Sequence, residues 1–241
     1  MGLGVLSLIF HDFALVWQPV PDWVPFRSTL ANLSGFILVV GGAGSLPRST
    51  RTLSTLVLAA FVTLWLVILQ VPRVASNPVD PGLWLGLAET MLLVTGGWTL
   101  FASRASEDGR PAFGAARSRA ITRTSRILYA LALPTIGLSH FVYSAGTASM
   151  VPGWIPFHLG FAYLTGAGHA AAGVGILLGI VPRLAAFLEA SMVSCFVLLL
   201  HAPGVCSAPG DRLQWTMLLV ATAYAGACWT IAASVREDSA R

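Results

Sequence analysis

Val20–Phe26 reads VPDWVPF, and Val151–Phe157 reads VPGWIPF. The two tryptophans lie 154 − 23 = 131 residues apart. The register then holds without a gap for roughly fifty residues, as expected of an internal repeat. Ala31 meets Ala162, Leu33 meets Leu164, Gly35 meets Gly166, Gly42 meets Gly173 and Gly44 meets Gly175, and at the far end Pro72 meets Pro203. Chance apolar similarity does not keep two prolines, a tryptophan and several glycines in one register.

The text around this repeat is apolar. Of 241 residues, 56% are hydrophobic and 10% charged, against roughly 25% charged in soluble domains; mean hydropathy is +0.76. A soluble body of this length cannot cover such a surface, whereas lipid tails accept it. A spanning helix needs about 20 mostly apolar residues. Eight stretches qualify: 2–18, 30–46, 52–72, 83–103, 124–145, 157–180, 183–202 and 213–235. The first is the weakest, short and carrying His11 and Asp12; without it the count is seven. The expected fold is an all-α polytopic membrane helix bundle of about eight transmembrane helices, from a tandem duplication of a four-helix unit. The first repeat covers 1–105, a basic cytoplasmic linker 106–123, and the second repeat 124–241.

The basic residues test this layout. Net charge is +4, and every one of the 14 basic residues is arginine. They sit in short connections between apolar runs, as topology determinants do. They form no basic polar face for nucleic acid, and the cluster Arg104–Arg126 reads as a loop near anionic lipid. With both termini in the cytoplasm and eight spans, the inner segments hold Arg48, Arg51, the cluster from Arg104 to Arg126, Arg183, Arg236 and Arg241. The outer loops hold Arg27, Arg73 and Arg212. That asymmetry is the positive-inside pattern of a cell inner or plasma membrane protein. Four spans per half give both halves one orientation, so the repeat is parallel, unlike inverted-repeat transporters. Small residues crowd the second and sixth spans, where they permit close helix approach. No positively charged leader with a cleavage site is evident, so the first stretch is expected to remain as a membrane helix. Cys195, Cys206 and Cys228 make no C-x-x-C pair; Cys195 and Cys228 read as small hydrophobes.

The stretch Val151–Val205 reads VPGWIPFHLGFAYLTGAGHAAAGVGILLGIVPRLAAFLEASMVSCFVLLLHAPGV. Its V-P-x-W-x-P loop, its T-G-x-x-H small-residue helix and the P-R-L-A-A start of the next helix resemble the DoxX-like membrane proteins. The resemblance is good over 124–235 and weaker over 1–105. It implies a four-helix unit, here two units fused, and an association with quinone-linked or thiol redox metabolism. The missing paired cysteines argue against thiol exchange.

Ionisable groups inside a membrane are costly, and each is a candidate for function. The spans contain His11, Asp12, Glu89, His140, His169, Glu189 and His201, with His158 at the start of the sixth. His140, His158 and His201 fall toward the outer face. They read as interfacial or packing histidines, as contacts to a quinone or other polar ligand, or as a metal or haem site. No H-x-x-x-H spacing sets two of them on one helical face. His169 lies about 18 Å into its helix at about 1.5 Å per residue, and Glu189 about two turns from the inner side of the next. The two approach each other through water or a ligand, holding a proton-accepting group or polarising a buried substrate; a packing hydrogen bond is the other reading. The first half has Leu38 and Leu58 at the matching positions. Glu89 pairs with Arg73 or a second-half histidine, or snorkels outward. Trp17, Trp23, Trp84, Trp154 and Trp215 fall at outer ends as interfacial anchors, and the Trp154 loop also suits a pocket mouth. No phosphate-binding loop, dinucleotide fingerprint, zinc-protease motif or nucleophile elbow occurs.

Three functions fit. One is a redox-associated protein binding a quinone or other apolar small molecule, with His169 and Glu189 as inner contacts and His140 and His201 nearer the mouth. Another is an enzyme acting on an isoprenoid-like lipid through a buried carboxylate. The third is a non-catalytic scaffold for a membrane protein partner.

Overall fold

In lipid every backbone N–H and C=O must find a partner inside the chain, which leaves helices or closed barrels. A computed structural model shows helices alone among the described residues, which are 1–108 and 114–238. Residues 109–113 of the expected linker, Arg110 and Arg241 lie outside the described residues, as does the Arg236 side chain.

The helices are α1 (Gly2–Phe10), α2 (Arg27–Gly44), α3 (Arg51–Trp65), α4 (Val71–Ser76), α5 (Pro81–Glu107), α6 (Ala115–Val142), α7 (Ser144–Met150), α8 (His158–Leu178), α9 (Pro182–Phe196), α10 (Ala202–Ser207) and α11 (Arg212–Asp238). A π-helical turn, Leu66–Gln70, joins α3 to α4, and Val197–His201 joins α9 to α10. Each ends two residues before a proline, Pro72 or Pro203. Proline lacks an N–H and crowds the carbonyl four residues back, so the helix widens by a turn instead of breaking.

The repeat is visible in these bounds. Adding 131 to the starts of α2, α3 and α5 gives the starts of α8, α9 and α11, and both π turns match residue for residue. Local devices match as well. Asp80 accepts the Gly82 amide (2.8 Å) and Asp211 the Leu213 amide (2.7 Å), each capping its helix start. The Trp84 indole donates to the Pro78 carbonyl and that of Trp215 to Pro209, both at 2.8 Å. Phe26 and Phe157 both hold left-handed backbone, φ 55° and 58°, just before their helices.

Five helices are long and apolar enough to cross a membrane: Arg51–Ser76, Pro81–Glu107, His158–Leu178, Pro182–Ser207 and Arg212–Val235. A sixth is added if Ala115–Val142 and Ser144–Met150, bent by 90°, make one crossing. Among the described residues the protein is all-helical, with several helices long and apolar enough to make it a membrane protein. By length and composition the expected count of eight is not confirmed, for two reasons. The stretch 2–18 is not one helix: it stops at Phe10, where His11 turns left-handed (φ 51°), and its second part is loop. The second stretch becomes the 18-residue α2, which carries Arg27 and Asn32 and is not among the five. The expected linker 106–123 also differs, because it is helical from Ala115 onward.

The helices close a ring. Within each half neighbours pack in chain order, α1 on α2, α2 on α3 and α3 on α5, then α6 on α8, α8 on α9 and α9 on α11. Between halves, α5 packs on α6 and α11 on α1, while α5 and α11 meet across the middle. That last contact joins Gly96 to Ala227, and 96 + 131 = 227, so equivalent residues touch, as they must on a two-fold axis. A Cβ on Gly96 would lie 2.6 Å from the Ala227 Cα. Glycine is required there by the approach of one backbone to another. The outer faces are apolar: α2 buries Ala31, Ser34, Gly35 and Gly41 and exposes Leu30, Leu33, Phe36 and Val40.

Arginines mark one end of the body, at Arg48, Arg51, Arg104 and Arg183; exposed Trp23 and Trp154 mark the other. At the arginine end Arg51 bridges Glu107 (3.1 Å) and Asp108, which also accepts from Thr52. At the tryptophan end Asp12 takes Arg27 and, from the other half, Arg212 (3.1 Å). Arg212 also donates to the Phe13 carbonyl at 2.7 Å. Burial raises the Asp12 carboxyl, but the Phe13 amide and the two arginines outweigh it and hold the group below its ordinary value.

Asp12→Asn is expected to cost about 2 kcal/mol, the scale of hydrogen bonds to charged groups, read as a lower melting temperature in mild detergent. The folded carboxyl titrates below the unfolded one. Its stabilisation is therefore complete above the ordinary value of 3.8 and is lost as pH falls through the depressed folded value. The gap between wild type and variant should close on acidification; a gap that widens contradicts the assignment. Gly96→Val should destabilise by at least about 1–3 kcal/mol through overpacking, while Gly226→Val, with nothing within 4 Å of its Cβ position, leaves melting nearly unchanged.

Candidate functional site

Small residues on α8 let its neighbours approach closely. Gly166 lies against Gly137, a Cβ there falling 2.9 Å from the Gly137 carbonyl, and Gly173 packs on the Ala130 carbonyl of α6. This contact sets polar side chains of α6, α8 and α9 facing one another inside the second half.

At the centre His169 on α8 meets Glu189 on α9. The Nδ1–H donates to Glu189 Oε1 at 2.8 Å, and the two residues are 3% and 1% exposed. The sequence reading had them approach through water or a ligand; the contact is direct. Glu189 Oε2 is buried with no hydrogen-bond partner. Charged or polar groups left unpaired in such surroundings cost several kcal/mol, roughly, so this oxygen is the chemically exposed point of the pair.

Aromatic rings enclose it. His140 sits edge-on to His169, ring centroids 5.1 Å apart, and Phe196 lies 6.4 Å from His140 and 6.0 Å from His169. His140 Nδ1 is 2.9 Å from Thr165 Oγ1. That hydroxyl donates to the Phe161 carbonyl (2.9 Å), so it accepts from His140, whose Nδ1 carries the hydrogen. The buried Tyr129 hydroxyl and Cys228 thiol stand beside each other, both within electrostatic reach of Glu189. The Tyr129 oxygen also makes no well-formed hydrogen bond.

Glu89 joins from the first half. It accepts from the Trp17 indole at 3.1 Å and the Tyr224 hydroxyl at 3.4 Å, and it lies within electrostatic reach of His169. Neither snorkelling nor an Arg73 pair describes it: the carboxylate turns inward, and Arg73 donates to Gln70 (3.2 Å). Trp17 is likewise not an interfacial anchor, since it packs against the main apolar cluster around Leu92, Leu133 and Ile231.

The remaining candidates stand apart. His158 opens α8, about 16 Å from His169 along the helix at about 1.5 Å per residue. His201 lies in the second π turn, twelve residues beyond Glu189. Trp154 is 74% exposed in the loop before α8. His11 bonds Asn32 at 3.0 Å. Among the described residues no three His, Cys, Asp or Glu side chains gather as a metal site. A cleft of about 290 Å³ lined by Pro81, Trp84, Leu138 and Ser139 opens at the tryptophan end without reaching the pair.

Sequence reasoning passed over Tyr129, Tyr224, Phe196 and Thr165. A signal existed for the tyrosines, whose hydroxyls fall in apolar runs where each needs a partner. Comparison with protein-family models, with curated proteins and with solved structures finds no match to this chain.

A buried pair is costly to halve and cheaper to remove whole. His169→Leu and Glu189→Leu should each destabilise by about 3 kcal/mol, and the double variant should recover much of that loss. Additive single losses in a thermal double-mutant cycle would show that the two side chains are not coupled.

Proposed function

We propose that this chain is a DoxX-like protein of the cell inner or plasma membrane that holds the polar head of a quinone-class ligand at the His169–Glu189 pair. In this reading all eight helical segments of the ring stand across the membrane, with the arginine end and both termini in the cytoplasm. One observation carries the ligand assignment: a fully buried carboxylate has one oxygen bound to His169 and the other left without a partner. A quinol hydroxyl is a donor of the kind that oxygen lacks, and its apolar tail needs no path through water. The Tyr129 hydroxyl, whose neighbour is the Cys228 thiol and which makes no well-formed hydrogen bond, supplies a donor for a carbonyl of the oxidised form. His140 and Phe196 offer flat surfaces for a ring. His169 gives an imidazole bonded to Glu189, and Glu89 a second carboxylate within electrostatic reach of that imidazole.

The test is the lipid extract of the protein purified in mild detergent, read by mass spectrometry beside Glu189→Gln and His169→Ala. A quinone retained in near-stoichiometric amount by wild type and lost at least tenfold, on the order of one charged hydrogen bond, from either variant supports the reading. An enriched isoprenoid lacking a quinone head points instead to an enzyme with Glu189 as general acid. Equal lipid profiles in all three overturn both and favour a scaffold for another membrane protein.

A further inference from the structure

The arginine end holds a separate open cleft of about 740 Å³ between the last turns of α5, the first turns of α6 and the last turns of α11. Its size suits a small ligand, for which about 300–1,000 Å³ is usual. Arg104, Arg119, Arg123 and Arg126 line it, against Glu107 as the one acid among its lining residues. Glu107 is already engaged, taking Arg104 and Arg51 at 3.1 Å each. Arg119 and Arg123 are exposed and make no ion pair or hydrogen bond with any described residue.

Positive charge alone describes any basic membrane edge. The second observation is in the cleft wall. Thr99 and Ser118 line it, are 3% and 8% exposed, and have hydroxyl oxygens with no hydrogen-bond partner. Other threonines of α5 satisfy themselves on their own helix: Thr90 bonds the Gly86 carbonyl and Thr95 that of Met91, both at 2.9 Å. Thr99 has the same option and does not take it. Two buried hydroxyls from two different helices, both unpaired, belong to residues of the same cleft wall that carries the arginines. Buried donors of this kind are nearly always satisfied in native proteins, and an anion rich in acceptor oxygens satisfies both.

We propose that the α5–α6–α11 cleft binds a phosphate-bearing anion, with Arg119 and Arg123 neutralising its charge and the Thr99 and Ser118 hydroxyls donating to its oxygens. Charge-assisted bonds of this type are short and strong. The headgroup of an anionic phospholipid and a soluble phosphate ester share this chemistry, and basic pockets between membrane helices suit the former.

Purified protein in neutral detergent is titrated with short-chain phosphatidylglycerol, short-chain phosphatidylcholine and inorganic phosphate, and melting temperature is followed. Phosphatidylglycerol should raise it and phosphatidylcholine should not. R119Q/R123Q and the charge-neutral T99V/S118A should each weaken that response about tenfold, while R48Q/R117Q, which removes the same charge outside the cleft, keeps it. An equal response to inorganic phosphate, lost in the same variants, assigns the site to a soluble ester and leaves it standing. Equal responses to both lipids, equal loss in R48Q/R117Q, or an unchanged response in T99V/S118A overturns it. Should T99V/S118A not fold, R119Q/R123Q decides alone, because it alters only exposed side chains.

Discussion

Between lipid-facing helices there is no hydrophobic force to spare, since lipid tails are as apolar as leucine; association rests on close packing and interhelical polar contacts. The architecture accordingly depends on α5 and α11 meeting with nothing but Gly96 and an alanine methyl between their backbones. From that contact the two-fold relation follows, and from it the ring, in which the first helix of each half packs on the last helix of the other. The same rule places Gly4 against Gly35 and Gly137 against Gly166. Large side chains are turned outward, the reverse of a soluble protein, because the solvent for them is lipid.

The halves share a frame but not a polar interior. His169 and Glu189 stand where the first half has Leu38 and Leu58, and Phe196 stands where it has Trp65. A buried hydrogen-bonded pair gives little net stability compared with well-packed leucines. The first half shows that the frame does without it. Glu89, Trp17 and Tyr224 complete the surroundings from elements of both halves.

Much of this was legible in the sequence because it rests on spacing. The 131-residue repeat, with Pro72 and Pro203 in one register, follows from position along a helix, which rises by a fixed amount per residue. Rotation about the helix axis is harder to read in an apolar run, where every face is apolar. That is why Tyr129 and Phe196 escaped notice and why Trp17 and Glu89 were turned the wrong way. The first helix was overextended for another reason: hydropathy averages over His11 and Asp12, whereas the backbone stops at them to meet Arg27 and Arg212.

Asp12 and Arg212 are separated by 200 positions along the chain. During synthesis the carboxylate emerges 200 positions ahead of its second arginine, so over that interval α1 has only α2 to lean on. Domains otherwise tend to form in order as they leave the ribosome. Here α1 is locked only when α11 has emerged, and until then the ring stays open along one seam, between α1 and the place α11 will take.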